Sequence, residues 1–232
     1  MAACSDVAVQ PIESEFGPFR VVFALGDVDR GREYRLRYEV FVEECHYESP
    51  TSSRLERDAL DDGSCSLLLL DSMTGKAAAC QRLVLPDRLP IGTPTNVEQH
   101  YRPIPGNLGI DFAAMPRSSW AELSRTTVAP TFRWGSATAA VPALVVVHYA
   151  TVALAIAFGR TVLISLSEPA TARLIRRLGF EMVRAGSVVD FHGRRAPFRM
   201  DVAEMTRSIP IADRHAFEAL TRAASQLVGG RQ

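Results

Sequence analysis

The stretch AELSRTTVAP, residues 121–130, places a carboxylate and a guanidinium three positions apart in a segment that otherwise resembles a buried strand. These charges belong to Glu122 and Arg125, with one serine and two threonines among them. Side chains alternate between the two faces of a regular strand, so a spacing of three puts the charges on opposite faces. Either one charge points away, or the strand is bulged. We predict a bulge, a common device for re-aiming a side chain beside a functional site.

Glu122 is the candidate general base of this strand. Burial raises the pKa of a carboxylate toward the working pH, where it can accept a proton directly or through water. The alternative is a buried ion pair with Arg37, Arg82 or Arg125, because structural ion pairs also perturb pKa values.

The order of elements around this strand predicts an α/β or α+β fold. We predict a strand at 19–26, a helix at 29–47 with Asp29 as N-cap, and a hairpin from 65 to 86. After residues 121–128 we predict a helix from about 141, a strand, a second helix, a hairpin at 181–202 and an amphipathic helix at 211–227. A mixed sheet of six or seven strands with helices on both faces follows from this order.

Composition predicts one globular domain over residues 1–232. Hydrophobic residues make up 47% of the chain, the formal net charge is +0, and neither a repeat nor a linker divides it. We expect residues 1–17 to be flexible and residues 87–118 to form a long surface excursion, of the kind that often provides lids or binding loops.

The same features limit location and partners. A neutral chain offers no field that would attract nucleic acid, and the N-terminal residues lack the pattern of a secretory signal. Residues 141–158 are long enough to span a bilayer, but polar residues interrupt them, so we predict a buried helix without membrane insertion. Four cysteines without metal-site spacing favour reduced thiols, no metal site and a cytoplasmic location.

Several motifs follow one another in a recognisable order. They are YRLRYEVFVEE (34–44), ERDALDD (56–62), CQRLVLP (80–86), AELSRTTVAPTFR (121–133) and LIRRLGFEMVRAG (174–186). Together they resemble the motifs of acyl-homoserine-lactone autoinducer synthases, long-chain N-acyl amino acid synthases and the acyltransferases associated with PEP-CTERM/exosortase systems. The stretch VVDFHGRRAPFRMDV (188–202) looks most like the last group.

This resemblance implies a GNAT-like fold, an amine acceptor and an acyl thioester donor, either acyl carrier protein or coenzyme A, with no permanently bound cofactor. Tyr47 stands where the autoinducer synthases typically carry Trp. GNAT acetyltransferases typically carry R-x-x-G-x-G/A before the central helix, whereas FRWGSAT places Gly135 two residues after Arg133, which favours the carrier protein.

The resemblance, together with the predicted bulge and the charge pattern, gives roles to individual residues. The predicted catalytic residues are Glu122 and Arg125, and backbone N–H groups at the bulge would hold the oxyanion. The predicted substrate-binding residues are Arg37, Phe41, Tyr47, Asp58, Asp61 and Arg82. The predicted donor-binding residues are Arg133, Gly135, Arg173, Arg176 and Arg177.

Charge is distributed unevenly along the chain. Residues 43–62 contain seven acidic residues and two arginines, which would attract a cationic amine; a solvated loop that pairs with Arg82 is the alternative. Residues 170–200 contain seven arginines and two acidic residues. Three of these arginines share one helix face and suit an acidic carrier protein or a pantetheine phosphate, although a solvated face has the same pattern. His192 fits either catalysis or a structural role in a hairpin.

We therefore expect an acyltransferase that moves a fatty acyl group from a thioester to the amine of an amino acid or similar acceptor. The amine would attack directly, since no serine or cysteine lies beside a credible base in a motif suited to nucleophilic catalysis. Two alternatives stay open. An autoinducer synthase would bind S-adenosylmethionine, and a non-catalytic module would bind an acyl carrier or fatty ligand without turnover.

Overall fold

The computed structural model describes residues 12–23, 26–104, 109–133 and 142–229. Within these ranges nine strands form a mixed sheet in the order β1-β2-β3-β4-β5-β6-β9-β7, with β8 paired to β9. All neighbouring strands are antiparallel except β5 and β6. The strands are β1 (Ile12–Phe16), β2 (Phe19–Phe23), β3 (Ser64–Asp71), β4 (Ala77–Val84), β5 (Trp120–Val128), β6 (Val162–Ser167), β7 (Val183–Arg184), β8 (Val189–Asp190) and β9 (Arg194–Asp201).

Helices cover both faces of the sheet. One face carries the main core and packs against α3 and α6, while α1 packs on the other face over β4 and β5. The predicted fold class is confirmed. The α-helices are α1 (Asp27–Tyr38), α2 (Asn96–His100), α3 (Ala143–Ala157), α4 (Pro169–Arg177), α5 (Val202–Arg207) and α6 (Arg214–Gly229).

Burial explains the two most apolar elements. Leu67–Leu70 of β3 are all buried, as expected of a central strand that is covered on both faces. Helix α3 is buried around nearly its whole circumference, which is typical of a helix in the centre of a domain. Among the described helices none has both the length and the apolar character that a bilayer crossing requires.

Three predictions about the elements need correction. Helix α1 begins at Asp27 after Gly26, so Asp29 lies in its first turn and is not the N-cap. Residues 12–16 form β1, so the expected flexibility of 1–17 is wrong there, and residues 1–11 lie outside the described residues. The segment 87–118 is not only a surface excursion, because it contains α2 and buries Thr95 and Val97.

Two fully buried arginines attach the acid-rich segment 43–62, here called the acidic loop, to α1 and to the sheet. Arg37 of α1 donates from Nε to Glu56 at 2.5 Å and from Nη1 to Asp61 Oδ1 at 2.7 Å. Arg82 of β4 donates from Nη1 to the same Asp61 oxygen at 2.9 Å and to Asp58 Oδ1 at 2.5 Å. Because each guanidinium is desolvated, these carboxylates have to stay in place to compensate its charge.

The arginines lower the pKa of two carboxyl groups in this loop. Burial alone would raise the pKa of Asp61, but the hydrogen bonds and charges of Arg37 and Arg82 outweigh it and lower the pKa to about 2. The same competition lowers the pKa of Asp58, through Arg82 and Arg125. Both loop carboxylates are therefore ionised at neutral pH.

The backbone of Gly186 lies close to that of Arg102, and this contact anchors the segment that follows α2. A Cβ atom at this position would lie 2.4 Å from Pro197 Cγ and 2.8 Å from the carbonyl oxygen of Arg102. The next residue, Ser187, donates its N–H to that same oxygen at 2.8 Å. Only glycine lets the segment after α2 approach the hairpin at this distance.

We expect Gly186→Ala to lower the free energy of unfolding by roughly 1–3 kcal/mol, because the added methyl group meets backbone and a proline ring. Gly31→Ala is the matched control, since a Cβ atom there would meet no heavy atom within 4 Å and the residue is helical. There we expect stabilisation by roughly 0.5–1 kcal/mol. Urea unfolding measures both, and equal stabilities of the two variants would contradict the close approach.

Acid unfolding tests the arginine network through Asp61. A lowered pKa contributes stability above the ordinary value of 3.8, and this contribution is lost as the pH falls toward about 2. For Asp61 it amounts to roughly 2 kcal/mol. We expect the unfolding free energy of Asp61→Asn to be lower at pH 7 and to fall less steeply between pH ~4 and ~2 than that of the wild type. Asp62→Asn is the control, because Asp62 is the exposed neighbour of Asp61. Its unfolding free energy should change with pH as steeply as that of the wild type.

Candidate active site

A cavity opens where the two parallel strands separate. β5 and β6 pair from Trp120↔Val162 to Leu123↔Ser165, but β5 continues to Val128 and β6 to Ser167. Beyond the last pair the strands no longer share hydrogen bonds, and a cavity of about 260 Å³ lies between them. It is lined by residues 122–126 of β5, by the end of β6 and by the start of α4.

The bulge predicted in β5 is confirmed and lies on the cavity wall. Arg82 pairs with Ser124 and Cys80 with Thr127, so Arg125 and Thr126 together face the single residue Gln81. Arg125 has a φ of 53°, a left-handed conformation that is uncommon for a residue other than glycine. Such backbone strain often accompanies functional sites.

A buried glutamine holds the bulge from behind. Gln81 is 2% exposed, and its amide donates to the Thr126 hydroxyl at 2.6 Å. Its carbonyl oxygen accepts a hydrogen bond from the hydroxyl of Thr151 in α3. The extra residue of β5 is thus connected through Gln81 to the central helix, which fixes the side chains that line the cavity.

Glu122 is fixed by the beginning of α2. It is 1% exposed, and its Oε2 accepts the backbone N–H of Val97 at 2.8 Å while its Oε1 accepts from Asn96 Nδ2 at 3.3 Å. Burial raises the pKa of Glu122, and the Val97 hydrogen bond and the charge of Arg82 offset this only in part. No arginine forms a salt bridge with Glu122 in the part of the chain that the structure describes, which leaves the carboxylate available on the cavity wall.

Sequence reasoning missed the part that α2 plays. Thr95 and Glu98 form a capping box, with Thr95 N–H donating to Glu98 Oε2 at 2.7 Å and Glu98 N–H donating to Thr95 Oγ1 at 3.3 Å. This box starts the short helix that presents the Val97 N–H to Glu122. The spacing T-x-x-E at 95–98 was the local signal that could have revealed it.

Arg125 is held by carboxylates from the acidic loop. Its Nε donates to Glu56 at 3.0 Å, and its Nη2 donates to Glu48 at 3.1 Å and to Asp58 at 3.0 Å. The guanidinium lines the cavity and lies 5.5 Å from the centroid of the Phe41 ring. In this structure Arg125 joins the loop to the bulge, and its charge is compensated by three acids.

The predicted substrate-binding residues fall into two groups. Phe41 and Tyr47 line the cavity together with Glu122 and Arg125. The other four lie behind its wall and bind one another through the buried network: Arg37, Asp58, Asp61 and Arg82. The structure therefore places these four as supports of the loop and of β4.

Aromatic and charged side chains form the wall opposite β5. The Tyr47 ring stacks on Phe41 at 6.5 Å and lies 5.6 Å from the His192 ring, with the Arg195 guanidinium 5.2 Å from its centroid. The Tyr47 hydroxyl donates to Glu168 at 3.1 Å. Burial and the charge of Glu168 raise the pKa of Tyr47, so this phenol keeps its proton at neutral pH.

Several residues of this wall were missed from sequence. They adjoin the end of β6 or lie in the final hairpin: Ser167, Glu168, Thr171, Ile175, Phe191 and Arg195. The signal that could have found the first four is topological, because ligands of α/β sheets bind beyond the carboxyl ends of the strands. The hairpin residues gave no signal beyond their local charge density.

The four predicted donor-binding residues that the structure describes do not line the cavity. Arg133 pairs with Glu44, at 2.7 Å between Nη2 and Oε2, and Gly135 lies outside the described residues. On α4 the three arginines are exposed, namely Arg173, Arg176 and Arg177. Ala172 and Ile175, on the other side of the helix, are buried. Leu174, between Arg173 and Arg176 on the helix, is 48% exposed.

Comparison of the sequence with protein families places a known domain over the site. The model of the acetyltransferase (GNAT) domain matches residues 36–142, which run from the end of α1 through β3, β4 and β5. No curated protein sequence matches the chain significantly.

Solved structures have a similar fold. TofI, solved in a ternary complex with an inhibitor and MTA, is 25% identical, with a TM-score of 0.61 over 86% of this chain and 96% of TofI. BjaI, a CoA-dependent acyl-homoserine lactone synthase solved with SAM and isopentyl-CoA, is 18% identical, with a TM-score of 0.60 over 85% and 92%. FeeM, an N-acyl amino acid synthase from uncultured soil microbes, is 12% identical, with a TM-score of 0.56 over 84% and 98%.

These similarities confirm the predicted GNAT-like fold and the resemblance to autoinducer synthases and N-acyl amino acid synthases. The link to exosortase systems stays a prediction. A non-catalytic acyl-binding module is set aside, because the matching family model is that of an acetyltransferase domain. The chain matches the GNAT domain over residues 36–142, has a GNAT-like fold and is an acyl-transferring enzyme.

Proposed function

We propose that this enzyme transfers a fatty acyl group from a thioester to the amine of an amino acid or similar acceptor. The observation that carries the proposal is Glu122, a buried carboxylate with a raised pKa on the wall of the cavity between β5 and β6. Apolar side chains next to it supply the surface that an acyl chain needs: Val40, Leu123, Leu166 and Ile175.

The proposed reaction is a direct displacement. Glu122 accepts a proton from the acceptor ammonium, the freed amine nitrogen attacks the thioester carbonyl, and a C–N bond replaces the C–S bond. As the tetrahedral adduct collapses, the nitrogen loses its second proton, and the leaving thiolate takes up a proton and departs as a thiol. Cys45 lines the cavity, but burial and the charge of Glu44 raise the pKa of its thiol, which disfavours a covalent acyl-enzyme.

Two acceptor classes are compatible with this chemistry. FeeM is an N-acyl amino acid synthase, and BjaI was solved with SAM, so both an amino acid and S-adenosylmethionine are candidates. Tyr47 in place of the Trp that is typical of autoinducer synthases supports the amino acid.

Mass spectrometry of lipid extracts tests the proposal. We expect cells that overproduce the wild-type chain to contain a new N-acyl amino acid, and cells that produce Glu122→Gln to contain roughly 10²- to 10⁴-fold less, the range that general-base catalysis contributes. Glu218→Gln is the control, because Glu218 is an exposed glutamate on α6 that does not line the cavity. An acyl lactone instead would support the autoinducer alternative, and identical extracts from wild type and Glu122→Gln would contradict the proposal.

The pH dependence of kcat/KM provides a second test. A base whose pKa is raised is protonated, and therefore inactive, over a wider acidic range than an ordinary glutamate with a pKa of 4.5. We expect kcat/KM to rise with pH through an apparent pKa above that value, and we expect Glu122→Gln to lack this rise. An acidic limb that persists unchanged in Glu122→Gln would assign the titration to another group.

We also propose an acyl carrier protein as the donor. The α4 helix lines the cavity through Thr171 and Ile175, and on its outer side it carries three exposed arginines: Arg173, Arg176 and Arg177. None of them forms an ion pair with another described residue. An acidic carrier docked there would deliver its thioester close to the cavity mouth.

Charge reversal tests the docking surface. With Arg173, Arg176 and Arg177 changed to Glu, we expect KM for an acyl carrier protein to rise roughly tenfold or more at low salt, with KM for the same acyl group on CoA unchanged. The control reverses three exposed arginines on α5 and α6, Arg207, Arg214 and Arg222. An unchanged KM for the carrier in the α4 variant would exclude this surface.

A further inference from the structure

The charges that line the cavity are unequally compensated. Three carboxylates face it, from Glu48, Glu122 and Glu168, together with the two guanidinium groups of Arg125 and Arg195. These five charged groups together carry one net negative charge. A ligand that is itself dianionic, such as a phosphate, is therefore disfavoured, while a zwitterion can match both signs.

The two guanidinium groups differ in what they already bind. Arg125 makes hydrogen bonds to three carboxylates, so its charge is fully compensated. Arg195 donates from Nε to the carbonyl of Phe191 at 2.7 Å and from Nη2 to the carbonyl of His192 at 3.3 Å. Its nearest carboxylate, Glu168, is 3.8 Å from Nη2, which is beyond hydrogen-bond length.

Arg195 is also held in position. The two carbonyl groups fix the guanidinium against the hairpin, and the ring of Tyr47 supports it at 5.2 Å. Tyr47 in turn is fixed by Phe41, His192 and Glu168. An arginine that is preorganised in this way loses little side-chain entropy when it binds an anion.

We infer that Arg195 binds the carboxylate of the acceptor, so that the acceptor is an apolar amino acid rather than a simple amine. This inference rests on the proposed function and names the residue that selects the substrate class. The acceptor would place its ammonium group toward Glu122 and its carboxylate toward Arg195, with its side chain against Phe41 and Tyr47. The carboxylate takes no part in bond making, so Arg195 is a specificity residue.

Matched acceptors provide the test. Acyl transfer from palmitoyl-CoA and palmitoyl carrier protein is measured to L-leucine, L-leucinamide and isoamylamine, and to the corresponding phenylalanine series. We expect the wild type to prefer the amino acid over its amide by roughly ten- to hundredfold in kcat/KM, the range for a hydrogen bond to a charged group. We expect Arg195→Gln to remove that preference. Because acid and amide are compared across variants, their different amine basicities cancel.

Two further variants separate recognition from folding of the hairpin. Arg195→Lys keeps the charge, so we expect part of the preference for the carboxylate to return, whereas a purely structural arginine would behave alike as Lys or Gln. Glu168→Gln removes the competing charge 3.8 Å away, so we expect KM for the amino acid to fall about two- to fivefold. Arg194→Gln is the control on the same hairpin, since Arg194 is exposed and does not line the cavity.

The outcomes distinguish this inference from the function on which it rests. No transfer to any acceptor from either donor would overturn the proposed function. Transfer that is equal for amino acid, amide and amine would overturn only the role of Arg195. An effect of Arg195→Gln on KM for the acyl donor, with the preference for amino acids retained, would assign this arginine to the donor and equally overturn the inference.

Discussion

The ion pairs between three arginines and the acidic loop are the constraint on which the site depends. Arg37 and Arg82 are fully buried, and a desolvated guanidinium costs several kcal/mol unless carboxylates surround it. The loop therefore has to bring Asp58 and Asp61 to these positions. Arg125 completes the set from the bulge, and its three carboxylate contacts offset a left-handed backbone that costs of the order of 1–3 kcal/mol.

The same ion pairs also affect the candidate base, Glu122, because they keep Arg82 from pairing with it. Glu122 lies close enough to Arg82 for that charge to lower its pKa, but less than burial raises it. Arg82 is engaged with Asp58, Asp61 and Ser124 and does not turn toward Glu122. Without the loop carboxylates, we expect the charge of Arg82 to lower the pKa of Glu122 further. The ion pairs of Arg82 with the acidic loop thus help to keep the pKa of Glu122 raised.

Local rules of sequence predicted the parts of this site that depend on local geometry. The spacing of Glu122 and Arg125 revealed the bulge because alternation along a strand involves only neighbouring residues. The same rules could not identify the individual partners of Arg125, since Glu48, Glu56 and Asp58 are 67 to 77 positions away. They also missed α2, a five-residue helix too short to show periodicity.

The final hairpin connects the base with the acceptor wall. Its start binds the segment after α2, through Ala185 with Tyr101 and through Ser187 with Arg102. Its tip returns to α2 itself, where the Phe191 ring lies 4.3 Å from that of His100. The helix that positions the Glu122 carboxylate and the hairpin that carries Arg195 are therefore braced against each other. Because burial is what raises the pKa of Glu122, a displacement of this hairpin would alter basicity and acceptor recognition together.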